Sequence, residues 1–270
     1  MVVQHNLSAM NTNRQMGVVT SALQKSTEKL SSGYKINRAG DDAAGLSISE
    51  KMRSQIRGLN KASDNAQDGI SLIQVAEGAL NETHSILQRM NELATQAAND
   101  TNTSVDRQSI KDEIEQLNEE LDRISTTTQF NKQDLLTGGF SGKLQVGALE
   151  GQTMDVKISL AVSANGLKVS AVEVSTNAKA GAAMQSIQDA IESVSKQRSK
   201  LGAIQNRLEH TINNLDTNAE NTQAAESRIR DTDMADEMVQ YSKNNILSQA
   251  GQSMLAQANQ QTQGVLSLLQ

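Results

Sequence analysis

The sequence predicts a mainly α-helical protein, a long antiparallel coiled coil or helical bundle with a small β-hairpin region and paired N- and C-terminal helices. Three observations predict this class. The 270-residue chain has no proline, so nothing interrupts a long helix covalently. Apolar residues recur with heptad spacing along several segments, whereas one central segment alternates with a period of two. The aromatic residues are two tyrosines and two phenylalanines, too few to fill a wide globular core.

Three heptad seams predict the long helices. Each seam is a row of apolar or small residues at alternating steps of three and four, as at the a and d positions of a coiled coil. Arg198 and Gln205 interrupt the third seam. The ordinary meaning of such seams is a helical bundle that closes on itself. The seams are Ile73, Ala76, Leu80, Thr83, Leu87, Met90, Ala94 and Ala97, then Ile110, Ile114, Leu117, Leu121 and Ile124, then Met184, Ile187, Ile191, Val194, Leu201, Leu208, Ile212 and Leu215.

Capping residues mark the predicted helix ends. Gly33 ends one helix and Gly40-Asp41-Asp42 precedes the next, because glycine is favoured just past a helix end and aspartate at an N-cap. Thr103 with Asp106 resembles a capping box, after a polar segment where the chain reverses. The predicted helices lie near residues 5–32, 43–98, 104–128, 177–229 and 234–268.

The β-hairpin region is predicted at 138–176, where the apolar period changes to two. Glu150-Gly151 and Asn165-Gly166 are turn residues that tolerate positive φ, so we expect two hairpins. The alternating residues are Leu144, Val146, Ala148, Val156, Ile158, Leu160, Val162, Leu167 and Val169.

Composition and charge exclude several classes of protein. The chain has 25 basic and 31 acidic side chains, a formal charge of −6, and its basic residues are not clustered. We therefore expect no nucleic-acid partner. No segment approaches about 18 consecutive apolar residues and no secretory signal peptide is apparent, so we expect no membrane insertion. Cysteine is absent, which excludes disulfides and thiolate metal sites within the chain.

No catalytic, cofactor or metal site is predicted. His5, His84 and His210 are far apart and lack the spacing of zinc ligands. The acidic cluster of Asp231, Asp233, Asp236 and Glu237 lacks the glycine and terminal glutamate of a calcium loop, and its expected role is favourable charge at a helix N-terminus. No nucleophile elbow or phosphate-binding loop is present, so we expect no enzymatic activity and no cofactor.

The two ends of the chain carry almost no charge. Lys243 is the last charged residue before Gln270, and Arg14 is the only one in the first 24 residues. Exposed helices normally carry charges on their outer face. We therefore expect the outer faces of the terminal helices to be buried against another surface. One interpretation is that both termini are poorly ordered in the free subunit and become helical when packed against copies of themselves. The other is an ordinary antiparallel coiled coil within one molecule, and the residues alone leave both open.

Four segments resemble bacterial flagellins. The segment Leu30 to Leu46, LSSGYKINRAGDDAAGL, closely resembles the N-terminal signature of that family. Val265 to Leu269 resembles the C-terminal end, and Leu87 to Leu93 and Gln129 to Asn131 are also similar. The resemblance covers essentially the whole chain in order. The variable outer region that larger flagellins insert is missing, so the chain resembles a short flagellin.

The resemblance implies a structural subunit that polymerises into the bacterial flagellar filament for swimming motility. An inner-core coiled-coil domain would be formed by residues 1–42 and 231–270. An outer-core helical domain would be formed by residues 43–176, including the hairpin region 138–176, and by the helix 177–230. The residues that the resemblance places in filament assembly are Leu7, Met10, Leu23, Leu30, Val265, Leu266, Leu268 and Leu269.

The resemblance also implies partners and a location. The protein would be secreted through the type III export apparatus of the flagellum and would reside in the extracellular filament. Its partners would be copies of itself, filament cap and junction proteins, and a flagellar export chaperone that binds the C-terminal segment around Asn259 to Leu269.

A host Toll-like receptor of innate immunity is a further implied partner. The resemblance maps its recognition site to Gln88, Arg89, Leu93 and Glu113. The charged members equally suit solvated or subunit-bridging pairs, and Leu93 lies off the first seam, where it would pack on a neighbouring subunit. Asn91 stands where many recognised flagellins have a basic residue.

Two alternative functions remain open on the residues alone. A hook-filament junction protein of the flagellum would share the terminal pattern without forming the long filament. A cytosolic signalling coiled coil would explain the long helices, but it leaves the charge-free ends and the hairpins without a role.

Overall fold

The computed structural model describes residues 6–267, with side chains as far as residue 261. Its helices are α1 (Leu7–Ser32), α2 (Ala43–Ala97), α3 (Ser104–Thr127), α4 (Asn177–Arg230) and α5 (Met234–Ser267). Its strands are β1 (Gln129–Phe130), β2 (Gln133–Asp134), β3 (Phe140–Gln145) and β4 (Thr153–Ile158). The predicted class, mainly α-helical with a small β region and paired terminal helices, is confirmed. No described helix is both long enough and apolar enough to cross a membrane.

The helix ends follow the capping residues of the sequence. Gly33 ends α1 with a left-handed φ of 75°, and its N–H donates to the Lys29 carbonyl oxygen at 2.8 Å. Thr103 and Asp106 form the predicted capping box at the start of α3. Each cap satisfies backbone groups that the helix itself leaves unpaired.

The chain folds into two compact units. The terminal unit comprises Met1–Ser54 and Asn221–Gln270, within which residues 6–54 and 221–267 are described. The central unit comprises Gln55–Glu220. Helices α2 and α4 contribute residues to both units, whereas α1 and α5 belong to the terminal unit and α3 and the strands belong to the central unit.

The heptad seams form the core of the central unit. Every residue of the first seam is fully buried, including Thr83, whose hydroxyl donates to the Ala79 carbonyl oxygen at 2.9 Å. Because of this hydrogen bond, the burial of Thr83 leaves no unsatisfied polar group inside the seam. The buried members of the other two seams in the same cluster are Ile110, Ile114, Leu121, Ile124, Ile187, Val194, Leu201 and Leu208.

The polar residues near the break in the third seam make defined contacts. The side chain of Gln197 is buried and donates from Nε2 to the Lys157 carbonyl oxygen of β4 at 3.3 Å. The guanidinium of Arg198 lies 3.8 Å from the carboxylate of Glu77 on α2. At this level of the bundle, helix α4 therefore makes polar contacts with β4 and α2 in place of the apolar contacts of the seam.

The first predicted hairpin is confirmed. Strands β3 and β4 pair in antiparallel register from Phe140 opposite Ile158 to Gln145 opposite Thr153. Gly151 occupies the connection with φ +83°, a conformation that glycine adopts without steric cost. Alternate residues of β4 are buried, so one face of the hairpin packs on the core.

The second predicted hairpin, around Asn165-Gly166, is wrong. The segment forms successive turns, in which the Leu167 N–H donates to the Ser163 carbonyl oxygen and the Val169 N–H donates to the Ala164 carbonyl oxygen, each at 2.9 Å. The apolar residues there are spaced every second position because turn residues point alternately into the core, not because a strand is present. Val162, Leu167 and Val169 are buried in that core.

A short hairpin that the sequence analysis missed joins β1 and β2. Asn131 and Lys132 form its two-residue turn, with φ values of 49° and 62°. Two successive residues of positive φ characterise a type I′ turn, for which Asn-Gly is the usual sequence signal. Here lysine occupies the glycine position, and strands of two residues are too short to show alternation.

Candidate assembly and recognition surfaces

The terminal helices pair with each other in antiparallel orientation. The side-chain amide of Asn6 donates to the Ala258 carbonyl oxygen at 2.9 Å. At the opposite end, the ammonium of Lys29 lies 3.4 Å from a carboxylate oxygen of Glu237. These contacts between α1 and α5 lie within a single chain. Each helix covers part of the apolar surface of the other.

This pairing leaves α1 largely uncovered. Leu7, Met10 and Val18 are 68%, 65% and 61% exposed. Leu23 and Leu30 are half-buried, and Ser26 is the buried residue of α1 among those described. Helix α1 therefore presents large apolar side chains to solvent in its N-terminal half.

Helix α5 also exposes large apolar side chains. Val239 and Ile246 are each 66% exposed, and Met238, Leu247 and Met254 are also exposed. We call the exposed residues Leu7, Met10, Val18, Val239, Ile246 and Met254 the terminal apolar surface. Val265 and Leu266 lie in α5 beyond the described side chains, and Leu268 and Leu269 lie outside the described residues. Exposed apolar side chains on both paired helices make this surface a candidate for contact with another molecule.

An aromatic and ionic cluster fixes the connection after α1. The guanidinium groups of Arg53 and Arg230 lie over the ring of Tyr34, 5.4 and 4.9 Å from its centroid. Arg53 also donates to the Tyr34 hydroxyl at 3.0 Å, and this hydrogen bond raises the pKa of Arg53 above its ordinary value. Cation–π contacts of this kind stabilise by about 0.5–1 kcal/mol each.

Backbone and carboxylate contacts complete this cluster. The Lys35 N–H donates to the Arg230 carbonyl oxygen at 2.7 Å, so the connection is tied to the end of α4. The buried carboxylate of Glu226 accepts from the Ser49 hydroxyl at 2.8 Å and pairs with Arg53 at 3.3 Å. Sequence reasoning missed this cluster, since no spacing rule joins residue 34 to residues near 230.

The rest of the segment 30–46 is explained by close packing and capping. Ile36 is buried, and the Asp42 side chain accepts from the Gly45 N–H at 2.9 Å as the N-cap of α2. A Cβ on Gly45 would lie 2.5 Å from an Asp42 carboxylate oxygen and 2.8 Å from Ile36 Cδ1. The Asp41 carboxylate accepts backbone N–H groups of the loop, chiefly that of residue 38, and its pKa is lowered below the ordinary value.

The predicted recognition residues lie on α2 and α3 of the central unit. Arg89 donates from Nε to a carboxylate oxygen of Glu113 at 3.0 Å and from Nη1 to Glu92 at 3.2 Å. The Glu113 hydrogen bond, and then that of Glu92, raise the pKa of Arg89. Gln88 is exposed beside them, with Nε2 3.0 Å from a ring nitrogen of His84. These residues form an exposed polar surface.

Leu93, the fourth residue that the resemblance assigns to recognition, is buried. Its side chain is 2% exposed and belongs to the core cluster of the central unit, so it does not face outward. Helix α2 packs against more than one neighbour, as the Arg89–Glu113 tie to α3 shows, and such a helix buries a wider stripe than a strict a and d seam. Leu93 therefore supports the surface from beneath.

The acidic cluster near the start of α5 serves as a cap. The Asp233 carboxylate accepts from the N–H groups of Ala235 at 2.8 Å and Asp236 at 3.3 Å. This agrees with the expected role of charge at a helix N-terminus. Among the residues that the structure describes, no group of three histidine, cysteine or acidic side chains is arranged to hold a metal ion.

Comparison with known families and proteins decides the family. The model of the bacterial flagellin N-terminal helical region matches residues 3–141, and that of the C-terminal helical region matches residues 184–269. A flagellin of Halalkalibacterium halodurans is 56% identical over 271 residues, covering all of both chains. The chain belongs to the bacterial flagellin family. It is also 53% identical over 304 residues to a flagellin of Bacillus subtilis, again over the full length of both.

A solved structure agrees with this assignment. The crystal structure of Bacillus cereus flagellin is 33% identical, with a TM-score of 0.51, and covers 60% of this chain and 94% of that one. The prediction of a short flagellin is confirmed, because the chain and the 56% identical flagellin match each other over their full lengths. As a flagellin, the chain is a structural subunit of the flagellar filament and not an enzyme. The hook-filament junction alternative is not favoured.

Proposed function

We propose that the terminal apolar surface drives filament assembly by packing against copies of the chain. The observation that carries this proposal is the exposure of large apolar side chains on both α1 and α5 after the two helices have paired. Burying such a side chain contributes about 1.5–3 kcal/mol, before the cost of association is subtracted. Contacts between unlike surfaces of successive copies do not close, so they extend a filament.

The intramolecular coiled coil is not an alternative to this assembly. Pairing of α1 with α5 within one chain covers Ser26 and leaves residues such as Val18 and Ile246 in water. The same helices therefore have one face for each other and another for neighbouring copies.

Seeded polymerisation of the full chain tests the assembly proposal. Val18→Asn and Ile246→Asn remove apolar groups that are exposed in the free chain, so folding should be retained while filament growth is lost. Val105→Asn is the matched control, because Val105 is 72% exposed but lies at the start of α3 in the central unit. A second comparison removes residues 1–30 and 245–270.

Light scattering and electron microscopy read the outcome. Filaments from the full chain and from Val105→Asn, but not from the other variants, support the proposal. Normal growth of Val18→Asn and Ile246→Asn would show that the terminal apolar surface is not the assembly surface. Failure of the full chain to grow on seeds would contradict polymerisation itself.

Export and its partners belong to the same proposal. The charge-free segment around Asn259 to Leu269 suits a flagellar export chaperone, since apolar residues there need cover before assembly. Secretion through the flagellar type III apparatus delivers the subunit to the growing end, between the junction and cap proteins. A purified chaperone from the same bacterium should protect this segment from protease in the unassembled chain, and unchanged cleavage would contradict the assignment.

The exposed surface of Gln88, Arg89 and Glu113 is proposed as the recognition site for a Toll-like receptor. Arg89 and Glu113 already hold each other in fixed orientation, which lowers the entropy lost when a partner binds. Leu93 contributes by packing beneath them.

Receptor binding by alanine variants tests this site. Arg89→Ala and Glu113→Ala should each weaken binding, because each removes a charged hydrogen-bonding group from the surface that the receptor would contact. Arg123→Ala is the matched control, since Arg123 pairs with Glu120 at 2.5 Å on α3 with similar exposure. Equal binding by all three variants would place the receptor site elsewhere.

A further inference from the structure

The connection between β3 and β4 ends in an apolar knob that is held in one position. Leu149 is 68% exposed, and the exposed carboxylate of Glu150 follows it. The Gln145 side chain donates to the Leu149 carbonyl oxygen at 2.7 Å, and the Leu149 N–H donates to Gln152 at 3.1 Å. An exposed leucine whose backbone is fixed on both sides is preorganised for a contact.

A groove on the same unit could receive such a knob, because it has apolar walls and positively charged lysines. It lies between β4 and α4 and has a volume of about 410 Å³, and most of its exposed lining is apolar. The lining residues are Asp155, Lys157, Ser159, Gln197, Lys200, Ala203 and Ile204. Lys157 is 3.8 Å from Asp155, whereas Lys200 makes no ion pair with the part of the chain that the structure describes.

The knob of one chain does not reach its own groove. Ala148, next to the knob, contacts Gly58 and packs on the cluster that contains Leu215. Leu215 follows Ile204 by about 16 Å along α4, at 1.5 Å per residue. A leucine followed by a carboxylate suits a groove with apolar walls and a lysine that has no ion pair, and a second copy of this chain carries that pair of residues.

We infer that Leu149 of one copy enters the groove between β4 and α4 of the next, with Glu150 against Lys200. The contact joins unlike surfaces, so it propagates along the assembly and does not close a dimer. It rests on the proposed polymerisation, to which it adds a specific contact between central units. The apolar knob contributes most of the affinity, and the ion pair fixes which groove position receives it.

Critical concentrations from seeded growth of the full chain test this contact. Leu149→Asn should raise the critical concentration at least about tenfold, whereas the equally exposed Val105→Asn should leave it unchanged. Glu150→Lys and Lys200→Glu should each raise it about threefold or more. The double variant should return it to within about twofold of the parent, because the pair is restored with reversed sign.

Cysteine pairs test the geometry in a chain that has no cysteine of its own. The double variant Leu149→Cys, Ala203→Cys should form a ladder of disulfide-linked chains in oxidised filaments and none as a dilute monomer. Each single variant should form no ladder. Absence of the ladder with normal growth of Leu149→Asn would overturn this contact and leave the proposed polymerisation intact, whereas failure of the parent to polymerise would overturn both.

Discussion

At the scale of single residues, the segment 30–46 is held by a set of specific contacts. Tyr34 makes cation–π contacts with two guanidinium groups, and Gly45 is required by the close approach of Asp42 and Ile36. These contacts are local in space but join positions that are far apart in sequence. Each is testable by a substitution whose effect is confined to one group.

Tyr34→Leu should lower the free energy of local opening by about 1–2 kcal/mol, because it removes two cation–π contacts. Hydrogen exchange of the Lys35 and Thr232 amides measures this, since they donate to the Arg230 and Gly33 carbonyl oxygens. Tyr34→Phe keeps the ring and should have a smaller effect, limited to the loss of the hydroxyl bonded by Arg53. Equal effects of the two variants would show that the hydroxyl, and not the ring, stabilises the connection.

The stability of the first turn of α3 should depend on pH. The hydrogen bond from the Thr103 hydroxyl lowers the pKa of Asp106 below its ordinary value of 3.8, so the unfolded chain binds the proton more tightly. The stabilisation is present above the ordinary pKa and is lost as the pH falls through the lower pKa of the folded state. Amide exchange in the first turn of α3 should accelerate over that interval. Asp106→Asn should abolish the pH dependence, and persistence of it in that variant would contradict the assignment.

At the scale of elements, backbone conformation decides which glycines are needed. Gly151 and Gly181 both have open space where a Cβ would lie. They differ in backbone conformation, because Gly151 has φ +83° in the β3–β4 connection and Gly181 lies within α4. A pair of alanine substitutions therefore separates conformational strain from packing.

Gly151→Ala should destabilise the chain by about 1–2 kcal/mol, because an L-residue is strained at positive φ. Gly181→Ala should stabilise it by about 0.5–1 kcal/mol through better helix propensity. Denaturant unfolding of the central unit measures both, with the wild-type chain as reference. Two changes of the same sign would contradict the assigned conformations.

At the scale of the whole molecule, apolar burial is distributed unevenly between the units. The seams bury their residues in the central unit, whereas α1 and α5 keep large apolar side chains exposed. Local stability follows buried apolar contacts, so the two units are expected to open independently and at different cost. Packing against copies of the chain would then bury the apolar side chains of the terminal helices that the free chain leaves exposed.

Hydrogen exchange of the free chain should therefore be faster in α1 and α5 than in the parts of α2 and α4 within residues 55–220. In assembled filaments the exchange of α1 and α5 should slow by at least about tenfold, since burial of their exposed residues stabilises them. The central unit in the same filaments provides the internal reference. Protection of α1 and α5 in the dilute chain equal to that of the central unit would contradict this difference.

The sequence by itself determined the helices, because heptad spacing and capping residues act over a few neighbouring positions. It also determined the charge-free ends, which depend on composition alone. The hairpin at Gly151 followed from alternation with a turn residue, but the same signal failed at Asn165-Gly166, where burial in successive turns imitates a strand.

Only the tertiary structure decided which distant residues meet. Leu93 lies inside because α2 packs on more than one helix, and its position relative to a single seam does not contain that information. Tyr34 meets Arg230 because the connection after α1 crosses the end of α4. The knob at Leu149 and the groove beside Ile204 arise from separate elements, so their complementarity is visible only once both have been placed.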